Sequence, residues 1–455
     1  MELARHPSLA LVVVLATGAA CPVWWEAVPE AQEPRCGDGE VGPDERCDDE
    51  NELDHDRCAA DCSEETLVVD MCAARSHTCV ALADGAVRCW GSGAAGQLGS
   101  GGVGLRGDAA AELPAPDIEI SGEAAQVVCN DDFTCVRLVD GAVRCWGGND
   151  WGQLGLGDTD HRGDEPGELP VPAIALGAKA SAIAAGHGHV CAIVAGDELR
   201  CWGWNLLGQL GAGHRDALGD DADELPPPAV ALADVAEVVA GVSHTCARTK
   251  AGTVHCWGSG SRGELGYGDT SRRGDDPDEL PTPAVALGAA AVQLAAGAHH
   301  TCALLDGGAL RCWGANDAGQ LGQAHLGDVG DEPGEMPPAA TAVDAVVQVV
   351  AGADHTCVRH ETGEVRCWGA GADGQLGDGK TADVGLDPLT FPPPPVDLGG
   401  EADLLAASAG DTTCARLTDG SLRCWGANES GQLGLGFAQA GPSGVTPGVA
   451  GRVLF

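Results

Sequence analysis

Basic residues are scarce in this sequence of 455 residues, and the scarcity limits what the protein can bind. Its 25 lysines and arginines stand against 68 aspartates and glutamates, which gives a formal net charge of −43. A nucleic-acid-binding protein needs a basic stripe to neutralise phosphates, so the composition excludes that class of partner. The hydrophobic share of 44% allows a sizeable core and excludes wholesale disorder.

The sequence also lacks an apolar run long enough to span a membrane. The N-terminal run from Leu9 to Ala16 is far shorter than the about 20 residues that a spanning helix needs. Arg5 precedes the run and small residues follow it up to Cys21, an order typical of an export signal. This order resembles a bacterial lipoprotein signal, in which Cys21 would be lipidated. Cleavage after Ala20 without a lipid is the alternative.

We therefore predict a signal peptide over residues 1–20 and a linker over residues 21–35, beginning at the lipidated Cys21. The expected location is the outer membrane or cell surface, with membrane contact only through the lipid, or secretion if no lipid is attached. Cysteine usage agrees with export. The 21 cysteines include no Cys-x-x-Cys pair of the kind that binds metals, and disulfides persist outside the reducing cytosol.

The remaining cysteines follow a repeat. Cys-Trp-Gly occurs seven times at intervals of 55 to 57 residues, and another Cys precedes each by ten residues. A fixed period of this kind indicates a repeat architecture. In the unit over residues 292–340, the segments Val292–Ala296, His300–Leu304 and Ala309–Trp313 are typical of strands, and Asp306-Gly307-Gly308 is typical of a turn. No helical period is present.

The two cysteines of a unit fall directly opposite each other in an antiparallel hairpin with an odd-numbered loop. Opposed Cβ atoms lie about 4.5–5.5 Å apart, close enough for a bridge. We predict these seven disulfides: Cys79-Cys89, Cys135-Cys145, Cys191-Cys201, Cys246-Cys256, Cys302-Cys312, Cys357-Cys367 and Cys414-Cys424.

The tryptophan after the second cysteine of each unit points to the other side of its strand, because side chains alternate. There it can pack into the core between neighbouring units. The predicted core tryptophans are Trp90, Trp146, Trp202, Trp257, Trp313, Trp368 and Trp425.

Taken together, the unit resembles the repeat of the RCC1 (regulator of chromosome condensation) family. The resemblance rests on His-Thr-Cys-Ala-Leu, Cys-Trp-Gly and Asn-x-x-Gly-Gln-Leu-Gly, as at residues 300–322, and covers residues 64–455. It implies an all-β, seven-bladed β-propeller with four strands per blade. The paired cysteines resemble exported bacterial members of the family. Residues 65–69 and 451–455 could complete the last blade, with the pairing left open.

A small module precedes the propeller at residues 36–62. Its four cysteines, Cys36, Cys47, Cys58 and Cys62, follow a pattern similar to a Cys-rich repeat of myxobacterial surface proteins. Two disulfides are expected because 27 residues cannot form a hydrophobic core, and three connectivities remain open. Clustered oxygen ligands make calcium a weak candidate there, and no other cofactor is predicted. The candidate ligands are Asp48, Asp49, Asn51, Asp54 and Asp56.

Cysteine arithmetic leaves one further pair. Once Cys21, the seven pairs and the small module are assigned, only Cys72 and Cys129 remain. They precede the first cysteines of adjacent units by seven and six residues, on corresponding inner strands. We predict a Cys72-Cys129 disulfide between the first two blades.

Other recurring residues suggest structural roles. A histidine stands two residues before the first cysteine in five units, and five equivalent positions around a ring favour a strand-edge hydrogen bond over catalysis. The acids of the loops between units lack the alternation of a calcium loop and favour solvated loops, with calcium as the alternative. Trp151 and Trp204 lie outside the repeat, and we consider them as contact anchors or as loop covers.

The leading hypothesis is an exported, non-enzymatic, monomeric scaffold that presents its loops to a protein or glycan partner. The alternative is an enzyme acting on an extracellular polysaccharide or peptide. With a single tyrosine and histidines mostly at repeat positions, the sequence offers few residues for such an active site. Guanine-nucleotide exchange, which the family name suggests, conflicts with the predicted export and with the charge.

Overall fold

The computed structural model describes residues 67–389, 391–408, 410–438 and 453. The predicted signal peptide, Cys21, the linker and the Cys-rich module with its calcium candidates lie outside the described residues. Within the described ranges, no helix is long and apolar enough to cross a membrane.

Seven antiparallel sheets follow one another along the chain, and we number them as blades one to seven. Blade one contains β1 (Val68–Ala73), β2 (His77–Leu82), β3 (Val87–Ser92) and β4 (Leu105–Arg106). The other blades contain β5 (Ala124–Asn130), β6 (Phe133–Leu138) and β7 (Val143–Gly147); β8 (Ala180–Ala185), β9 (His189–Val194) and β10 (Glu198–Gly203); β11 (Val235–Ala240), β12 (His244–Thr249) and β13 (Val254–Gly258); β14 (Ala291–Ala296), β15 (His300–Leu305) and β16 (Leu310–Gly314); β17 (Val346–Ala351), β18 (His355–His360) and β19 (Val365–Gly369); β20 (Ala402–Ala407), β21 (Thr412–Leu417) and β22 (Leu422–Gly426).

The register within a blade follows from the spacing of its cysteines. In blade five, Cys302 lies opposite Cys312 and Thr301 lies opposite Trp313. The two cysteine Cα atoms are 4.0 Å apart, and their sulfurs form a disulfide. The same bond joins the two cysteines in each of the seven hairpins, as the spacing predicts.

The fourth strand is reduced to one or two isolated bridges in blades two to six. Blade one has the two-residue β4, whereas Gly147 and Arg162 illustrate the single antiparallel bridge that recurs in later blades. The resemblance implies four strands per blade. Among the described residues, blade one has a regular fourth strand, and the other six sheets have three regular strands each. The segment that would form the strand is rich in glycine and proline, as at residues 163–172, and proline cannot donate to a ladder.

Both ends of the chain contribute to closing the ring. Val68 begins β1, so Val68 and Val69 of the predicted closing segment belong to blade one and not to the last blade. Val453 instead donates from its backbone N–H to the Leu422 carbonyl of blade seven, at 3.3 Å. The amide of Ser408 in turn donates to the Ala73 carbonyl at 3.0 Å, which links blade seven to blade one.

The first strands of the blades line an axial cavity of about 260 Å³. Long polar side chains join these strands across blades. Gln126, for example, donates to the carbonyl of Ile183 at 2.9 Å and accepts from its N–H at 3.0 Å. At the first interface, Cys72 and Cys129 form a disulfide between β1 and β5, the pair that cysteine arithmetic predicts.

The hydrophobic core lies between blades. Each of the seven repeated tryptophans is at most 1% exposed, and each apolar cluster spans neighbouring blades. Because a blade buries its apolar surface only against its neighbours, the core depends on ring closure.

Candidate binding face

The ring has two faces, which differ in the loops they carry. The end of each first strand, the start of the second and the end of the third lie together, as the pairing of His300 with Gly314 shows. We call this side the loop face, because it also carries the Gly-Gln-Leu-Gly segments. The opposite side carries the tight turns between second and third strands, such as Asp306-Gly307-Gly308, and we call it the hairpin face.

A repeated tryptophan hydrogen bond joins each blade to the preceding one. The indole N–H of Trp146 in blade two donates to the Gln97 carbonyl of blade one, at 3.0 Å. The same bond recurs at every interface, including Trp90 to Gln432, at 2.9 Å, where blade one meets blade seven. The Gly-Gln-Leu-Gly segment therefore serves as the acceptor for the next blade's core tryptophan.

The recurring histidines extend this network. Thr301 donates its only hydroxyl proton to the Glu264 carbonyl, at 3.2 Å, so its oxygen accepts from His244 Nε2–H at 3.0 Å. Histidine–threonine bonds of 2.7–3.0 Å join blades at five interfaces. The pairs are His77 with Thr134, His189 with Thr245, His244 with Thr301, His300 with Thr356 and His355 with Thr413.

These histidines are neutral at physiological pH. Complete burial lowers the pKa of His244 to about 4 and the pKa of His300 to about 3. Their Nδ1 atoms have no hydrogen-bond partner among the described residues, so a proton there would place an unpaired charge in the core. The histidine positions therefore hold blades together, as the sequence pattern favours.

Two of the seven interfaces depart from this pattern. Thr412 replaces the histidine between blades seven and one, and both residues are replaced between blades two and three. Phe133 occupies the histidine register position opposite Gly147, and Val190 occupies the threonine position opposite Trp202. Both side chains are fully buried in one apolar cluster. The polar pair is thus replaced at both positions together, and no polar atom is left without a partner by the exchange.

Above this interface, on the loop face, Trp151 and Trp204 lie side by side. Their ring centroids are 6.1 Å apart and their planes are tilted by 41°. Trp151 is 45% exposed, in contrast to the buried repeated tryptophans, and Trp204 is half-buried. The structure therefore brings together the two tryptophans that the sequence places outside the repeat.

Both tryptophans occupy repeat positions that other blades fill differently. The backbone N–H of Trp204 donates to the Gly188 carbonyl at 2.7 Å, and the corresponding residue elsewhere is glycine, alanine or serine with the same bond. Trp151 donates from its backbone to the Gln153 side chain at 2.9 Å, as its counterparts do. The backbone at these two positions therefore makes the same hydrogen bonds as in the other blades, and only the side chains differ.

A glycine makes room for the two rings. A Cβ at Gly188 would lie 3.3 Å from Trp204 Cβ and 3.5 Å from Trp151 Cδ1. The first of these distances is tighter than most real Cβ contacts. The aromatic pair therefore packs directly against the backbone of the loop between β8 and β9.

His187 and Asp131 extend the aromatic pair. The His187 ring meets Trp204 edge-on at 6.4 Å, and its Nδ1 lies 2.6 Å from Asp131 Oδ2. The hydrogen bond to Asp131 raises the pKa of His187. Sequence reasoning missed both residues. Alignment of the units would have found His187, because blades four to seven have Val242, Ala298, Ala353 and Gly410 at this position.

Two further carboxylates complete the site. Asp132 follows Asp131 in the loop, and Asp150 precedes Trp151. Desolvation raises the pKa of Asp132, and repulsion by Asp131 and Asp150 adds to the rise, while His187 opposes it. We call Trp151, Trp204, His187 and the carboxylates of Asp131, Asp132 and Asp150 the tryptophan patch.

The acidic loops between blades use their recurring glutamate to hold the backbone. Glu168 accepts from the backbone N–H groups of Gly163 and Glu165, at 2.8 and 3.0 Å. The equivalent glutamates accept from glycines in four other loops: Glu112, Glu224, Glu279 and Glu335. Among the described residues, no group of three or more His, Cys, Asp or Glu side chains is arranged to hold a metal ion.

Comparisons with known proteins agree with this architecture. A family model described as the RCC1-like domain matches residues 35–397, and one for the regulator of chromosome condensation (RCC1) repeat matches residues 405–432. The ultraviolet-B receptor UVR8 of Arabidopsis thaliana is 32% identical over 303 residues, covering 65% of this chain and 63% of the receptor. The probable E3 ubiquitin-protein ligase HERC4 of Homo sapiens is 30% identical over 350 residues, 76% of this chain and 31% of that protein.

Solved structures share the fold at lower identity. Human WBSCR16 superposes with a TM-score of 0.60 at 18% identity, covering 76% of this chain and 85% of that chain. Prp20p from Saccharomyces cerevisiae gives a TM-score of 0.57 at 20% identity, covering 75% and 80%. The chain spans less than two thirds of the length of UVR8 and of HERC4, the two relatives compared by sequence.

Proposed function

This chain belongs to the RCC1-like domain family, and from that premise we propose that it is a non-enzymatic binding scaffold. Its loop face would contact a protein or glycan partner outside the cytoplasm, with Cys21 as the lipid-bearing anchor. RCC1-like propellers can bind proteins, which supports the general activity. The tryptophan patch is the observation that carries the proposal for this chain.

The two tryptophans of the patch support binding because neither fills a repeated core position of the fold. The repeated tryptophans each fill a core position and donate to the preceding blade, whereas Trp151 and Trp204 sit on the surface of one interface. Partly exposed tryptophans that pack against each other are a frequent centre of protein interfaces. Two such residues, 53 positions apart in the chain, meet only because blades two and three are adjacent.

The position of the first strand supports presentation of this face. Val68 at the start of β1 pairs with Leu82 at the end of β2, and Ala83 donates to the Leu67 carbonyl. The chain therefore enters the propeller on the hairpin face. A tether upstream of Leu67 would attach on the side opposite the tryptophan patch and leave the loop face directed outward.

An enzymatic function has less support. Five of the histidines bridge blades as buried neutral donors, and the recurring glutamates accept from their own loops. These residues are committed to the fold. A catalytic site would have to be built from residues outside the repeat, and those gathered on the loop face are chiefly aromatic and acidic.

Affinity capture with matched variants tests the binding function. The wild-type protein, Trp151→Ala/Trp204→Ala and the control Val139→Ala/Leu389→Ala would each be immobilised and exposed to extract from the native cell surface. Val139 and Leu389 are 65% and 91% exposed and lie outside the patch. We expect a partner retained by the wild type and the control and lost from the tryptophan variant. Equal retention by all three, or capture of nothing above background, would contradict the proposal.

Export and anchoring need a separate measurement. Intact mass spectrometry of non-reduced protein from its native cells should show a chain that begins at an acylated Cys21 and carries no free thiols. A chain that begins at Met1 with reduced cysteines would refute export. A chain that begins at residue 21 without acyl groups would refute the anchor and leave the secreted form.

A further inference from the structure

We propose that the tryptophan patch binds an arginine- or lysine-rich segment of a partner protein. This inference rests on the proposed function of the loop face as a binding surface and names the chemistry of what it binds. Its basis is the combination of an accessible aromatic surface with carboxylates that have few cationic neighbours.

The aromatic part of the patch suits a cation. A guanidinium or ammonium group is attracted to the face of a tryptophan when it lies within about 6 Å of the ring centroid. Trp151 is 45% exposed, so part of its ring is open to solvent. Trp204 lies beside it at 6.1 Å and widens the apolar area on which the stem of an arginine or lysine can lie.

The carboxylates give the surface of the patch a negative charge. Asp150 is adjacent to Trp151 and its side chain is 70% exposed, so an incoming cation can reach it. Its ionic neighbour among the described residues is His161, whose Nε2 lies 3.4 Å from Asp150 Oδ1 and which is charged only when protonated. Asp131 pairs with His187, and Asp132 follows Asp131 directly in the loop.

Among the described residues, the ionic partners of Asp131 and Asp150 are histidines and not arginines or lysines. Arg75 in the adjacent loop of blade one is close enough to affect His187. The hydrogen bond to Asp131 raises the pKa of His187, so His187 offsets the charge of Asp131 and leaves the charges of Asp132 and Asp150. A cationic segment would relieve the repulsion among Asp131, Asp132 and Asp150, and the net charge of −43 would attract it from a distance.

A neutral glycan fits these observations less well. Sugars also stack on tryptophan rings, but a neutral sugar leaves the repulsion between the carboxylates in place and gains nothing from the charge of the chain. We therefore assign the patch to a cationic peptide segment and keep the glycan as an outcome of the test.

The probe is an acetylated and amidated hexa-arginine peptide, titrated calorimetrically into the full chain. We expect Trp151→Ala/Trp204→Ala and Asp132→Asn/Asp150→Asn each to weaken binding about tenfold or more. The matched control is Asp344→Asn/Glu361→Gln, which removes two exposed carboxylates from the hairpin face. This control should keep nearly the wild-type affinity. Thermal melting would confirm that each variant is folded.

Two outcomes would overturn the inference. Equal weakening in Asp132→Asn/Asp150→Asn and in the hairpin-face control would show that the peptide responds only to overall charge. Binding of chitohexaose that depends on the tryptophans, with no such dependence for hexa-arginine, would assign the patch to glycans. In that second case the proposed binding function still stands, because the tryptophans bind a ligand. The binding function itself would be refuted if affinity capture from cell-surface extract gave the same result with and without Trp151 and Trp204.

Discussion

The interface between blades two and three differs from the other interfaces both inside and on its surface. Inside, Phe133 and Val190 replace the histidine and threonine that join blades at five interfaces. On the surface, the same interface carries Trp151 and Trp204. The repeated contacts show what the ring requires, and the surface tryptophans of this interface point to what is added for binding.

The exchange inside this interface also shows how the repeat varies. A histidine without its threonine would leave a buried N–H unpaired, and a threonine without its histidine would lose one of its bonds. Phe133 and Val190 avoid both costs because neither carries a polar side-chain atom. At this interface the two positions change together, although they are 57 residues apart and belong to different blades, whereas between blades seven and one Thr412 replaces the histidine and Thr78 remains.

The largest expected effect on stability comes from the buried tryptophan, which the apolar interface and the histidine–threonine interfaces share. Trp202→Ala at the second–third interface and Trp313→Ala at the fourth–fifth interface each remove a buried ring and its hydrogen bond to the preceding blade. We expect each to lower the free energy of unfolding by about 3–5 kcal/mol. Denaturant unfolding under non-reducing conditions measures this. A change at only one of the two sites would show that the interfaces do not share this role.

The next effect is the loss of stability at acidic pH, which we expect from the histidine–threonine interfaces and not from the apolar interface. Unfolded histidines titrate near 6.5, whereas burial lowers the pKa of His244 to about 4. Stability is therefore fully present above pH 6.5 and is lost as the pH falls towards 4, because only the unfolded chain takes up the proton. The loss reaches about 3 kcal/mol for such a histidine.

A variant that imitates the apolar interface sharpens this test. Unfolding midpoints at pH 7.5 and pH 5 should shift less in His244→Phe/Thr301→Val than in the wild type. Asp70 acts in the opposite direction in both proteins, since burial raises its pKa to about 6 and its contribution to stability grows as the pH falls below that value. Identical pH shifts in the two proteins would contradict the assignment of acid sensitivity to the histidines.

A smaller effect tests the coupling of the two positions. Thr301→Val removes the acceptor of the His244 Nε2–H and should cost about 1–3 kcal/mol. Adding His244→Phe should restore part of that stability, because the double variant reproduces the Phe133–Val190 pair. A double-mutant cycle at pH 7.5 gives the coupling. A double variant no more stable than Thr301→Val alone would disprove it.

The smallest effect concerns the surface of the unusual interface. Trp151→Ala should change the free energy of unfolding by no more than about 0.5 kcal/mol, because the side chain lies outside the core. The measurement is the same denaturant unfolding that is applied to Trp202→Ala. Destabilisation comparable to that of Trp202→Ala would make Trp151 a structural residue and remove the observation on which the proposed function depends.

Much of the fold could be predicted because its features are local and repeated. The hairpin of Cys302 and Cys312 follows from their spacing, and the inward direction of Trp313 follows from strand alternation. The fourth strand was less predictable. Glycine and proline in its segment reduce it to one or two isolated bridges in blades two to six, and the family resemblance alone does not report that local chemistry.

The candidate site was only partly predictable. Trp151 and Trp204 stand out because they break the repeat, but their contact depends on two loops from different blades. His187 and Asp131 were missed because each is unremarkable within its own unit. Their separation of 2.6 Å arises only when the loops of neighbouring blades meet.

The sequence by itself determined seven hairpins, each with its disulfide and its inward tryptophan, because strand geometry alone brings together cysteines ten residues apart and points the next side chain to the other side. Tertiary structure decided which histidine meets which threonine, where Val453 joins the ring, and that two unrepeated tryptophans share one surface with three carboxylates. Those contacts join residues of different blades or opposite ends of the propeller. Their register is set by closure of the ring, which no single unit encodes.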